Sequence, residues 1–224
     1  MTSLSRNIIS AVTTLGGANV LTRLLSFISV LFITRGLSLD GYGSFQLALA
    51  TVAPMALLTA WGLEGVVLSD ISRALGVKAA GRAKRLMISY TRNKVLLSVV
   101  VVALAWLFRP FVVGYFGAFL NDYFLVLSIC VIVNEALATI GLMLHAHTRF
   151  SEMAGMTVAE PVFRLVAVIV LWQYHAFTPI TVLGAYIFGK IGSAMIAIPA
   201  IARVFALYRT VPADPERVYW AMIR

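Results

Sequence analysis

Six long apolar runs, separated by short polar joins, constrain this chain more than anything else in it. They lie at about 8–33, 43–67, 87–108, 119–144, 154–173 and 180–206. Each reaches or exceeds the ~20 residues that a helix needs to cross the hydrocarbon core of a bilayer. Backbone inside lipid must satisfy itself, which leaves helices and closed barrels. Barrel strands are about 10 residues long and alternate in polarity. These runs are longer and continuously apolar, so helices are expected. Composition agrees: 61% of the 224 residues are hydrophobic and only 12% are charged, against about 25% charged in soluble domains. The expected fold is all-α and integral to the membrane: six transmembrane helices form one bundle over 1–207, and 208–224 is a cytoplasmic tail. The first run extends to Ile33, beyond the 7–15 residues of a signal-peptide core, and reads as a retained span.

The joins carry turn chemistry. Between the first two runs, TRGLSLDGYGSF places Gly36, Asp40, Gly41 and Gly43 together. A tight hairpin over 34–42 is expected, with Asp40-Gly41 as its turn pair.

The net charge is +9. A basic balance is compatible with nucleic acid, but the basic residues sit between apolar runs, where anionic membrane lipids are the simpler partner. Sorting the 18 Lys and Arg by join gives a strong bias. One side receives Arg6, the seven of the 70–94 segment (Arg73, Lys78, Arg82, Lys84, Arg85, Arg92, Lys94), Arg149, Arg203, Arg209, Arg217 and Arg224. The other receives Arg35 and Arg109. The positive-inside rule then puts both termini in the cytoplasm. The segment 70–94 is expected to be an amphipathic helix on the cytoplasmic surface. Trp106, Tyr115, Trp172 and Tyr174 fall near span ends, as an interfacial belt would.

Five charges remain inside the runs: Arg23, Glu135, Glu160, Arg164 and Lys190. A central charge costs about 2.5–3.5 kcal/mol on the lenient insertion scale, so each needs a partner or a wet cavity. Glu64, near a helix end, is expected to snorkel. Gly16, Asn19, Arg23 and Ser26 recur at spacings of three and four, which makes a polar stripe on the first helix. It is expected to face the bundle interior, either as a cavity wall meeting an anionic substrate or as a bridge to Glu135 or Glu160. Glu160 and Arg164 are four apart and can pair. Pro161 between them frees the carbonyl of Thr157 and favours a kink. Glu135, next to Asn134, is read either as an ion-coupling carboxylate or as a counter-ion for Arg23 or Lys190. Ala185, Gly189, Ser193 and Ala197 form a small-residue stripe suited to close packing, with Lys190 beside it. Arg23, Arg164 and Lys190 are the candidate substrate-binding cations, Glu135 and Glu160 the candidate coupling groups, and Asn19, Ser26 and Asn134 the candidate cavity-facing polar groups.

No phosphate loop GxxxxGK[ST] is present. His145 and His147 are two apart, which points them to different helix faces. No catalytic residues, metal or cofactor are assigned.

The stretch ITRGLSLDGYGSFQLALATVAPMALLTAWGLEGVVLSDISR resembles the first hairpin and second span of the polysaccharide transporter family, the O-antigen and lipid-linked oligosaccharide flippases of the MOP superfamily. The resemblance rests on Arg35, Asp40-Gly41-Tyr42-Gly43, Gly62-Leu63 and Asp70 to Arg73, and on Arg149-Phe150 in HAHTRFSEMAGMTVAE. It implies half of a fold of two six-helix bundles around a central cavity. The tail would then be a truncated linker to a missing C-terminal bundle, or two copies would assemble. The implied activity is translocation of undecaprenyl-pyrophosphate-linked oligosaccharide across a bacterial inner membrane by alternating access. Three interior cations against two carboxylates would suit a pyrophosphate, because Arg grips phosphate bidentately. The related multidrug and toxin antiporters, which favour cations, remain an alternative, as do a membrane-bound glycosyltransferase or polymerase and a non-transporting half-length scaffold. The short outer joins argue against the glycosyltransferase or polymerase.

Overall fold

The structure, a computed structural model, describes residues 3–60 and 63–212. Within them the chain is helical throughout, with no strand. The helices are α1 (Ser3–Gly36), α2 (Leu39–Ala60), α3 (Leu63–Gly76), α4 (Ala80–Leu107), α5 (Arg109–Phe116), α6 (Leu120–Ala146), α7 (Phe150–Gln173) and α8 (Pro179–Leu207). Six of them are long and apolar enough to cross a membrane: α1, α2, α4, α6, α7 and α8. The chain is an all-α, multi-pass membrane bundle. Gly62 of the Gly62-Leu63 pair and the tail from residue 213 onward lie outside the described residues.

Two expectations about the joins need correction. The first concerns the opening hairpin. Only Leu37 and Ser38 separate α1 from α2, and Asp40 and Gly41 lie in the first turn of α2. Ser38 is the cap: its Oγ accepts the Gly41 N–H at 3.1 Å. Gly36 is needed for space, because a Cβ there would sit 2.6 Å from the Phe177 ring. The second concerns the segment 70–94. It is not one surface helix; α3 ends at Gly76 and α4 begins at Ala80, so the third span starts seven residues earlier than expected.

Three of the remaining turns share one device. Lys78, Thr148 and His175 adopt positive φ of 57°, 55° and 50°. After each, an N–H reaches back to a carbonyl five residues earlier: Ala79 to Ala74, Arg149 to Leu144 and Ala176 to Leu171. This is a Schellman helix end built without glycine. Nothing in the sequence marks it, because the residue usually found at that position is missing.

Central α6 packs against α2, α3, α4 and α8, whereas α1 leans almost entirely on α7. The α7–α8 contact is close because the small-residue stripe is buried, as expected. The apolar core is split between the two ends of the bundle. At one end Ile71, Leu86, Met87, Leu142, Met143 and Val204 cluster. At the other Ile33, Phe45, Leu120, Leu127, Val168 and Val182 cluster. Along α4, α6 and α8 the residues between these clusters include Lys94, Glu135 and Lys190.

Candidate functional site

The charges form a belt between the two apolar cores. Lys94 is its most deeply buried cation, with 6% of its side chain exposed. Its ammonium has three hydrogens and meets three acceptors: the Thr59 carbonyl at 3.1 Å, Glu64 Oε1 at 3.0 Å and Glu135 Oε2. Thr59 is on α2, Glu64 on α3 and Glu135 on α6, so one cation draws partners from three neighbouring helices.

The second group lies on α7 and α8. Glu160 approaches Arg164 at 3.9 Å and Lys190 at 3.5 Å. Lys190 also donates to Asn134 Oδ1 of α6 at 3.0 Å, which joins the two groups. Arg164 is buried; it donates to Ser26 Oγ at 2.6 Å and its guanidinium lies 4.6 Å from the centre of the Tyr186 ring. Pro161 does remove the hydrogen bond expected at Thr157, and the freed carbonyl accepts from Thr22 Oγ1 of α1 at 3.2 Å. α7 nevertheless continues as one α-helix through Pro161. Close approach of α8 to this wall depends on Gly189, where a Cβ would lie 2.7 Å from the Glu160 carbonyl oxygen.

Between the two groups is a chamber of about 400 Å3 lined by Glu64, Asn134, Glu160 and Lys190, with His145, Met153 and Met156 on the side of the 147–149 turn. Glu64 and Glu160 keep 43% and 30% of their side chains exposed, while Glu135 keeps 6%. The first two meet the hollow; Glu135 and Lys94 lie behind it.

Several expected site residues are placed differently. Arg23, Arg164 and Lys190 do not all converge: Arg164 and Lys190 share Glu160, but of the three only Lys190 lines the chamber. Arg164 fastens α1 to α7 and α8. Arg23 and Asn19 are exposed, and Arg23 has no hydrogen bond or ion pair among the described residues. The reason is that α1 sits at the edge of the bundle and buries the neighbouring face, Ala18, Ser29 and Ile33. Ser26 alone of the polar stripe turns inward, to Arg164. The counter-ion of Glu135 is Lys94, not Arg23 or Lys190. Glu64 bridges to Lys94 instead of snorkelling. The pairing of Glu160 with Arg164 and the place of Asn134 beside the cavity agree with expectation.

Lys94 was the residue the sequence reading missed, and a signal existed. A span starting at 87 already puts Lys94 seven residues inside it, where a cation needs a partner. Counting it with the surface charges hid that. The interior balance changes as well. Lys94, Arg164 and Lys190 face Glu64, Glu135 and Glu160, three against three; Arg23 lies outside this network.

No family model matches this chain, and comparison with curated proteins and with solved structures finds no match.

Proposed function

We propose that the chain is the substrate-cavity half of a membrane transporter, and that it serves the export of an undecaprenyl-pyrophosphate-linked oligosaccharide as a flippase of the polysaccharide transporter family. The observation that carries the transport reading is the chamber at the level of the charge belt, lined by Glu64, Asn134, Glu160 and Lys190. Charged side chains at bilayer depth that border a hollow mark substrate or ion pathways. The resemblance around Asp40-Gly41-Tyr42-Gly43 supplies the substrate class. Lys190 is the cation available to a phosphate from within the chamber. In this reading the protein lies in a bacterial cytoplasmic membrane with both termini inside, and a second six-helix bundle or a second copy closes the cavity.

A cation antiporter is the second reading. Two carboxylates and one ammonium line the chamber itself, a balance that suits a cationic substrate. The two readings make opposite demands. Surface polysaccharide would be measured in cells carrying Lys190→Met or Glu64→Gln variants, alongside efflux of a cationic dye. Flippase action requires Lys190→Met to abolish surface glycan while Glu64→Gln retains most of it. Loss of dye efflux in Glu64→Gln, with glycan untouched by either change, selects the antiporter. Neither effect, with both variants inserted normally, leaves a scaffold.

A further inference from the structure

Outside the chamber, α4 and α8 diverge over α6 and leave a groove of about 690 Å3 at the end of the bundle near the 147–149 turn. Its walls are apolar: Met87 and Thr91 come from α4, Ala202 and Phe205 from α8, and Met143 from α6 forms the floor. A second hollow of about 290 Å3 shares Thr91, Met143 and Phe205 with it. The trough therefore continues along the helices toward the bilayer centre. Its deep end carries Lys94 and Glu135, which neutralise each other. Its mouth carries Lys84, Arg92 and Arg209 and no carboxylate. Lys84 donates to the Val211 carbonyl at 2.6 Å. Arg92 and Arg209 are exposed, and their side chains have no hydrogen bond or ion pair among the described residues.

We propose that this trough is a binding site for one anionic phospholipid, with the phosphate held by Arg92 and Arg209 and an acyl chain laid between α4 and α8. The charge pattern selects the occupant. A transmembrane helix of another protein would fill the apolar trough but leave the two guanidiniums without a counter-charge. A zwitterionic lipid offers a phosphate but no net charge. A phosphate diester with a net negative charge satisfies both the cations and the greasy floor, and basic pockets between spans are the usual form of such sites. Guanidinium groups grip two phosphate oxygens at once, so the pair fixes the headgroup as well as attracting it. The site does not depend on what the chamber carries.

The test is native mass spectrometry of the full-length protein in mild detergent, with phosphatidylglycerol and phosphatidylcholine of matched chains added in equal amounts. Phosphatidylglycerol should be retained about tenfold over phosphatidylcholine, in keeping with the attraction of an anionic headgroup to each basic residue. The Arg92→Gln/Arg209→Gln variant should reduce that preference to within about twofold. Ala202→Trp, which blocks the trough, should lower retention of both lipids. Should Ala202→Trp fail to insert, the double variant still decides, because both arginines are exposed. Equal retention of the two lipids by the native protein overturns the proposal, as does undiminished preference in the double variant. Polyprenyl phosphate displacing phosphatidylglycerol also overturns it, since the groove would then belong to a lipid-linked substrate.

Discussion

Replacing Lys94 with methionine tests the charge belt at its centre. The substitution keeps side-chain length and removes the ammonium, so all three of its contacts are lost. The consequences differ for each partner. Glu64 is 43% exposed and regains water. The Thr59 carbonyl loses one hydrogen bond, worth about 1 kcal/mol. Glu135, 6% exposed, is left as an uncompensated buried charge, and removing one member of a buried pair costs about 3–5 kcal/mol. Glu135 therefore dominates. In a chain of this size each kcal/mol moves the midpoint by roughly 2–4 °C, so Lys94→Met should lower it by about 6–20 °C, read by tryptophan fluorescence in nanodiscs. Adding Glu135→Gln should recover most of that loss, leaving about 1–2 kcal/mol for the remaining hydrogen bonds. Glu135→Gln should not rescue Lys190→Met, whose partners are Glu160 and Asn134. If Lys94→Met and the Lys94→Met/Glu135→Gln double variant melt together, the pairing is wrong. If the rescue works on Lys190 instead, Glu135 answers to the other cation.

Two further outcomes follow from the α7 contacts. Gly189→Ala places a methyl 2.7 Å from the Glu160 carbonyl and 3.0 Å from Arg164 Cβ; it should destabilise by about 1–3 kcal/mol, whereas Gly184→Ala, with nothing within 4 Å, should not, as thermal midpoints will report. Thr22→Val removes the donor to the carbonyl that Pro161 frees and should cost about 1 kcal/mol. With Pro161→Ala the backbone can recover its own bond, so a double-mutant cycle should show the Thr22 effect shrinking; equal costs in both backgrounds would mean that the Thr22 effect does not depend on the carbonyl Pro161 frees.

The fold was legible because lipid makes the sequence signal coarse. A run of twenty apolar residues has few alternatives, and all six spans match runs seen in the sequence. Boundaries were lost where a helix end lacked its usual mark. Lys78, Thr148 and His175 take the left-handed position without glycine, while Gly36 and Gly41, which look like turn residues, serve packing and a helix start. The site was half legible for a different reason. Pairs along one helix, such as Glu160 with Arg164, follow from a spacing of four. Pairs across helices do not: Lys94 with Glu135 and Lys190 with Glu160 depend on which faces meet, and spacing alone does not carry that. The stripe with Arg23 failed for the same reason, because periodicity shows that a face exists but not which neighbour covers it.

The two charge groups divide the bundle in a way that bears on how it could work. Glu64, Lys94 and Glu135 lie on α3, α4 and α6, with two carboxylates to one ammonium. Glu160, Arg164 and Lys190 lie on α7 and α8, with one carboxylate to two cations. The chamber thus runs from a wall of formal charge −1 to a wall of +1, and a neutral amide, Asn134, spans them through its bond to Lys190. An anion entering the hollow is drawn to Lys190 and competes with Glu160 for it; a cation is drawn to Glu64 and competes with Lys94. In either case the arriving charge displaces a contact that ties one helix to another, and Arg164 or Glu135 remains behind to hold the partner released. Apolar cores at both ends would keep the helices together during such an exchange. On the transport reading proposed above, Glu64 and Glu160 face the 400 Å3 hollow because each would trade its partner with the passing ion.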